Sequence, residues 1–187
     1  MEYDSRKVAG GLLFAGSVQF ILFVIIAEAL YPGYSISENW ISDLGVGATA
    51  IIFNSSAVLL GSCVIVGGYL IHRTCSSRCF SLLVILTGVG AMGAGLFSEN
   101  FGIIHGMASL VTFIFGALSA IMSRRLQKPP LSYFSVLLGA LSLLALALSI
   151  SGTYLGLGKG GIERIVAYPI LIWIVGFGSH LIGTKKD

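Results

Sequence analysis

Six long apolar runs separated by short polar connections constrain this chain more than any other feature of its sequence. A run of roughly 18 or more apolar residues with few charges is long enough to cross a bilayer as a helix. The runs fall at about 8 to 31, 48 to 71, 80 to 97, 103 to 123, 131 to 154 and 165 to 183. Only 10% of the 187 residues are charged, against about 25% in soluble domains, so a water-soluble fold would lack a polar surface. The expected fold is all-α: a polytopic six-transmembrane-helix bundle, one transmembrane domain over residues 1–187, multi-pass in the cell membrane. Arg6 and Lys7 precede the first run as in a signal start, yet that run continues through Leu30 with no early small-residue cleavage site, so it is expected to stay as the first helix.

Charge sets the expected orientation, because Lys and Arg in short loops stay cytoplasmic. Arg6, Lys7, Arg73, Arg78, Arg124, Arg125, Lys128, Lys185 and Lys186 fall on one side and only Lys159 and Arg164 on the other. Both termini are therefore expected in the cytoplasm. Topology alone accounts for the basic loops, so they imply no nucleic-acid partner. Cys75 and Cys79 form a C-x3-C pair in a basic turn, with no second Cys or His pair nearby to complete a tetrahedral metal set. Reduced thiols are the expected state in a cytoplasmic turn.

The opposite, external face concentrates the residues that chemistry uses. Its first loop, residues 31–45, interleaves polar groups with Trp40, Ile41 and Leu44, a pattern suited to a segment lying in the membrane interface. Glu99 and His105 flank the next connection, and a glycine-rich stretch from Gly156 to Gly161, expected to be a flexible lid or turn, precedes Glu163 and Arg164. Four prolines lie at or near the ends of the apolar runs, Pro169 among them. Charged or amide groups at membrane depth are costly unless paired, which makes them candidate functional groups. Glu28, Asn54, the i, i+4 pair His105 and Ser109, and Glu163 with Arg164 all fall in the outer third of the helices. Their convergence depends on helix faces that sequence leaves open, and a set of structural interhelical bonds, with Arg164 paired to Asp43, Glu99 or Glu163, is the competing reading. Glycines 88, 90, 93 and 95, with 61, 67 and 68, read as close-packing surfaces.

The segments Ile41–Gly45 (ISDLG), Ile52–Asn54 (IFN), Gly95–Glu99 (GLFSE) with His105 and Ser109, and Glu163–Arg164 resemble a prokaryotic family of small six-helix membrane proteins catalogued as a domain of unknown function. The resemblance spans nearly the whole chain and implies the fold, but no reaction, substrate or cofactor.

Three functions compete. An outward-facing polar pocket would bind or modify a lipid headgroup or small amphiphile, with Glu99 or His105 as catalytic base, and with Asp43, Asn54, Ser109, Glu163 and Arg164 as ligand-binding groups. Arg164 would hold an anionic group and Asn54 would orient it. Asp43, Glu99, His105 and Glu163 would offer hard metal ligands only if they converge, and sequence identifies no cofactor. Alternatively, the protein is a non-catalytic assembly partner, and six helices in 187 residues make a bundle thin enough to favour a homo-oligomer. Small-solute transport is disfavoured, because the inner halves of the helices are nearly free of ionisable groups.

Overall fold

The computed structural model describes residues 4–74 and 77–184. Six helices account for nearly all of it: α1 (Ser5–Leu30), α2 (Ala50–Thr74), α3 (Arg78–Leu96), α4 (Ile103–Met122), α5 (Leu131–Ile150) and α6 (Gly158–Gly183). Each is long and apolar enough to cross a membrane. With short connections, successive helices pack antiparallel, and α1 meets α6 to close a ring. Helix α6 is the most buried of the six, reaches across the ring to touch α4, and leaves α5 on the outside against α4 and α6. The multi-pass membrane fold expected from hydropathy is thus the observed one.

In lipid the helices gain little from apolar burial, and close packing must hold them together. The glycines provide it. A Cβ at Gly61 would stand 2.5 Å from the Met92 backbone nitrogen, and one at Gly88 would stand 2.8 Å from the Gly61 carbonyl oxygen. Gly88 and Gly95 face α2, whereas Gly90 and Gly93 face α4, so α3 carries two small-residue faces and is gripped from both sides. Gly10 and Gly178 make a comparable crossing where α1 meets α6.

All chain turns between α1 and α2, α3 and α4, and α5 and α6 lie at one end of the bundle, here the loop end. Among the described residues, Arg6, Lys7, Arg73, Arg78, Arg124, Arg125 and Lys128 belong to the other end, while Lys159 and Arg164 belong to the loop end. Lys185, Lys186 and Cys75 lie outside the described residues. Cys79 is exposed and Cys63 is half-buried against Gly16. His72 and His180 are held at the basic end, by Ser81 and by the Leu126 carbonyl.

Three expectations are corrected. Ile41 and Leu44 of the 31–45 loop do not turn out toward lipid: both are buried with Val24, Ala27 and Phe53, so the loop folds into the bundle mouth. The glycine-rich stretch is no flexible lid, because α6 starts at Gly158, and Gly158 and Gly160 lie directly beneath the backbone of residues 36–39. The Gly160 N–H donates to the Ser37 carbonyl at 3.0 Å. Hydropathy missed this first turn because Lys159, Glu163 and Arg164 dilute the apolar run. In consequence Pro169 is inside α6 rather than at its end. A proline there removes one helical hydrogen bond, an arrangement membrane helices tolerate when neighbouring groups compensate.

Gly88→Ile should lower the melting temperature in mild detergent, with an overpacking cost of about 1–3 kcal/mol. Gly106→Ala, where a Cβ would meet no other atom, should leave it unchanged or raise it.

Candidate functional site

Arg164 is the anchor of the loop end. It is 7% exposed, and its guanidinium pairs with Glu28 on α1 at 2.5 Å. The same nitrogen donates to the Tyr34 hydroxyl at 2.8 Å, and the other terminal nitrogen donates to the carbonyls of Ile36 at 3.1 Å and Gly160 at 2.8 Å. One fork therefore ties α6 to α1 and to the 31–45 loop. Tyr34 passes the restraint on by donating to the Trp40 carbonyl at 3.0 Å. Burial pushes the Tyr34 phenol up to about 12, so it stays a neutral donor at physiological pH.

The loop then turns inward through a short 3-10 turn, Ser42–Gly45. Asp43 closes this turn by accepting from the Asn39 side chain at 2.8 Å and from the Trp40 N–H at 3.0 Å. Glu163, one residue before the anchor, accepts from the Ile41 N–H. Asn54 donates to the Gly45 carbonyl at 2.9 Å, and Thr49 to the Leu44 carbonyl at 2.8 Å. The loop backbone is thus pinned by side chains from α2 and α6.

Across the mouth, Asp43 meets Glu99 from the α3–α4 turn, carboxyl against carboxyl. Two like charges at that distance cannot both ionise cheaply, so one proton is shared. Burial, reinforced by the hydrogen bond and the charge of Asp43, pushes Glu99 up to about 7. Burial also pushes Asp43 upward, but the bonds from Glu99, Asn39 and Trp40 outweigh it and hold Asp43 below the usual carboxylate range.

Beneath the loop a cavity opens inside the helix ring. Its polar end is built from Ser42, Glu163, His105 and Ser109; its walls are mainly apolar side chains, including Phe53, Ala57, Ala91 and Leu171, with Thr87, Thr112 and Tyr168 set among them. Lining residues run from Phe53 to Val64 along α2 and from Glu163 to Ile174 along α6, roughly 16 Å of helix. The centres of water-sized molecules have about 90 Å³ to occupy, several times what one water requires.

His105 is 8% exposed and has a defined tautomer. Its Nδ1 lies 2.7 Å from the Phe97 carbonyl oxygen, which only accepts, so in the neutral ring Nδ1 carries the hydrogen and Nε2 the lone pair. Ser109 lies 3.3 Å from that Nε2. Helix-borne Ser55, Ser62, Thr87, Thr112 and Ser179 all bond to the carbonyl four residues back. Ser109 instead turns to His105, and both face the cavity.

A family model described as "Protein of unknown function (DUF998)" matches residues 14–180. The chain belongs to the DUF998 family. Neither the curated proteins nor the solved structures yield a match.

In this DUF998 chain the candidate residues separate into three groups. His105, Ser109 and Glu163 line the cavity. Asp43 and Glu99 meet one another above it and are not among its lining residues. Arg164 and Asn54 are not among the cavity-lining residues; Arg164 pairs with Glu28 rather than with Asp43, Glu99 or Glu163. Among the described residues no three of His, Cys, Asp and Glu come together closely enough to hold a metal ion. The cavity hydroxyls of Ser42, Thr87, Thr112 and Tyr168 carried no sequence signal, since lone hydroxyls are common in membrane helices.

Two outcomes follow for the DUF998 chain. Arg164→Ala should cost about 3–5 kcal/mol in a detergent unfolding assay, the usual penalty for leaving a buried charge unpaired. Glu28→Gln should cost less, because Arg164 keeps three neutral acceptors. The Glu99 carboxyl binds its proton more tightly folded than unfolded, so its contribution to stability is complete below about 4.5, its unfolded value, and lost as pH rises through about 7. Asp43 acts with opposite sign, its contribution disappearing as pH falls below its ordinary value of 3.8. Melting temperature should therefore fall between pH 5 and 8, and Glu99→Gln should flatten that fall.

Proposed function

We propose that this membrane protein binds a small amphiphile, with the polar part at the Ser42, His105, Ser109 and Glu163 end of the cavity and the apolar part between α2, α3, α4 and α6. The observation that carries the reading is the cavity itself, which follows roughly 16 Å of helix from a polar end into a mainly apolar one. Ligand sites commonly combine an apolar lining with a few convergent polar groups. The positive-inside rule places the loop end outward, so the ligand would come from the outer leaflet or the space beyond it.

Residues 31–45 act in this reading as a cover. Ile41 and Ser42 form part of the cavity lining, and the cover is tied down by Arg164 on one side and by the Asp43–Glu99 pair on the other. Glu99 thus serves the site by holding its cover, while His105 and Glu163 face the ligand. Arg164, with both terminal nitrogens engaged, positions the loop instead of gripping an anionic group.

Filling the cavity tests the proposal. Ala91 is 7% exposed and lines the cavity wall, so Ala91→Leu would occupy ligand space while adding dispersion contacts. Native mass spectrometry of protein purified in mild detergent should show a co-purifying lipid or amphiphile adduct on the wild type and its loss in Ala91→Leu, with melting temperature kept or raised. An adduct unchanged by the substitution would reject the reading.

A further inference from the structure

The polar end of the cavity is made of acceptors and hydroxyls, with no cation among its lining residues. Glu163 presents a carboxylate of which one oxygen receives the Ile41 N–H and the other has no hydrogen-bond partner among the described residues. His105, more than nine-tenths buried, gives Nδ1–H to the Phe97 carbonyl and receives the Ser109 hydroxyl on Nε2, which leaves the Ser109 oxygen lone pairs toward the same space. Ser42 and Ser109 add hydroxyls, which accept as readily as they donate. The basic groups of the loop end are engaged elsewhere. Arg164 is spread over Glu28, Tyr34 and two carbonyls, and Lys159 lies 5.7 Å over the Trp40 ring. Two further carboxyl groups, Asp43 and Glu99, stand above the cavity, with the Lys159 charge acting on both.

Such a site matches one kind of headgroup. An ammonium carries three donors and no acceptor, and charge-assisted bonds to a carboxylate are the strong ones in a poorly solvated setting. A carboxylate or phosphate would meet the Glu163 carboxyl and find no guanidinium or ammonium among the lining residues. The mainly apolar space beyond suits an alkyl chain. We infer that the ligand is a cationic amphiphile whose amine is received by Glu163, by the Ser109 hydroxyl that His105 orients, and by Ser42. This inference rests on the amphiphile-binding reading above and adds the charge of the headgroup to it.

Decylamine and decanoate, which share one chain length and differ in the sign of the head, are the discriminating probes. Each would be titrated at pH 7 against the purified full-length protein in a nonionic detergent, with occupancy read by native mass spectrometry. Wild type should take up decylamine with at least roughly tenfold higher apparent affinity than decanoate, the ratio that corresponds to about 1.4 kcal/mol. Glu163→Gln keeps an acceptor for the Ile41 N–H and should remove most of that preference; Ala91→Leu should abolish uptake of both. Equal uptake of the two probes by wild type, or a preference for decanoate, overturns the cationic assignment, as does a Glu163→Gln protein with the amine preference intact. If the two bind equally and Ala91→Leu blocks both, the amphiphile site stands and only the headgroup assignment fails. If Ala91→Leu blocks neither, the amphiphile site fails as well.

Discussion

The buried pair between Arg164 and Glu28 is the contact on which the loop end depends. A guanidinium near a low-dielectric bundle is tolerable only when its charge is met and its donors are used, and here two atoms of one fork meet a carboxylate, a phenol and two carbonyls. Because those acceptors belong to α1, α6 and the 31–45 loop, satisfying one charge fixes the relative position of three segments. A lysine would offer a compact point charge with no planar fork to span them. The loop in turn seats Ile41 and Leu44 among the helices and brings Ser42 to the cavity, so the shape of the polar end is downstream of that one residue.

Two adjacent residues on α6 therefore do different work. Arg164 turns toward α1 and the loop, whereas Glu163 lines the cavity and holds the Ile41 N–H from below. Neighbours in a helix point about 100° apart, so this division needs no special backbone. It needs α6 to begin early enough to present both residues as helix, which the glycines at 158 and 160 allow by letting the loop backbone rest on the first turn. A side chain at either position would push the loop away and separate Glu163 from its partner.

The acidic pair across the mouth adds a second, weaker tie. Asp43 and Glu99 come from segments far apart in sequence, one in the loop before α2 and one in the α3–α4 turn. One shared proton converts a repulsive contact into a hydrogen bond between the loop and the α3–α4 turn. The polar bonds around the loop end give the region a defined shape while Arg164, Asp43 and Glu99 stay out of the cavity lining.

Sequence by itself determined the number of spanning helices, the small-residue faces of α3, and the crowding of Glu99, His105, Ser109, Glu163 and Arg164 at one end, because bilayer thickness and the scarcity of charge leave hydropathy little freedom. Tertiary structure decided who meets whom. Whether Arg164 pairs with Glu28 or with an acid nearer in the loops depends on the rotation of α1 against α6. Whether Ile41 and Leu44 face lipid or the bundle depends on backbone bonds that no hydropathy pattern records, and the start of α6 was hidden because its first turn is polar and packs on loop backbone. The cavity was equally out of reach, since a void is a property of five helix faces and a loop together, and apolar residues that line it read the same in sequence as apolar residues that face lipid.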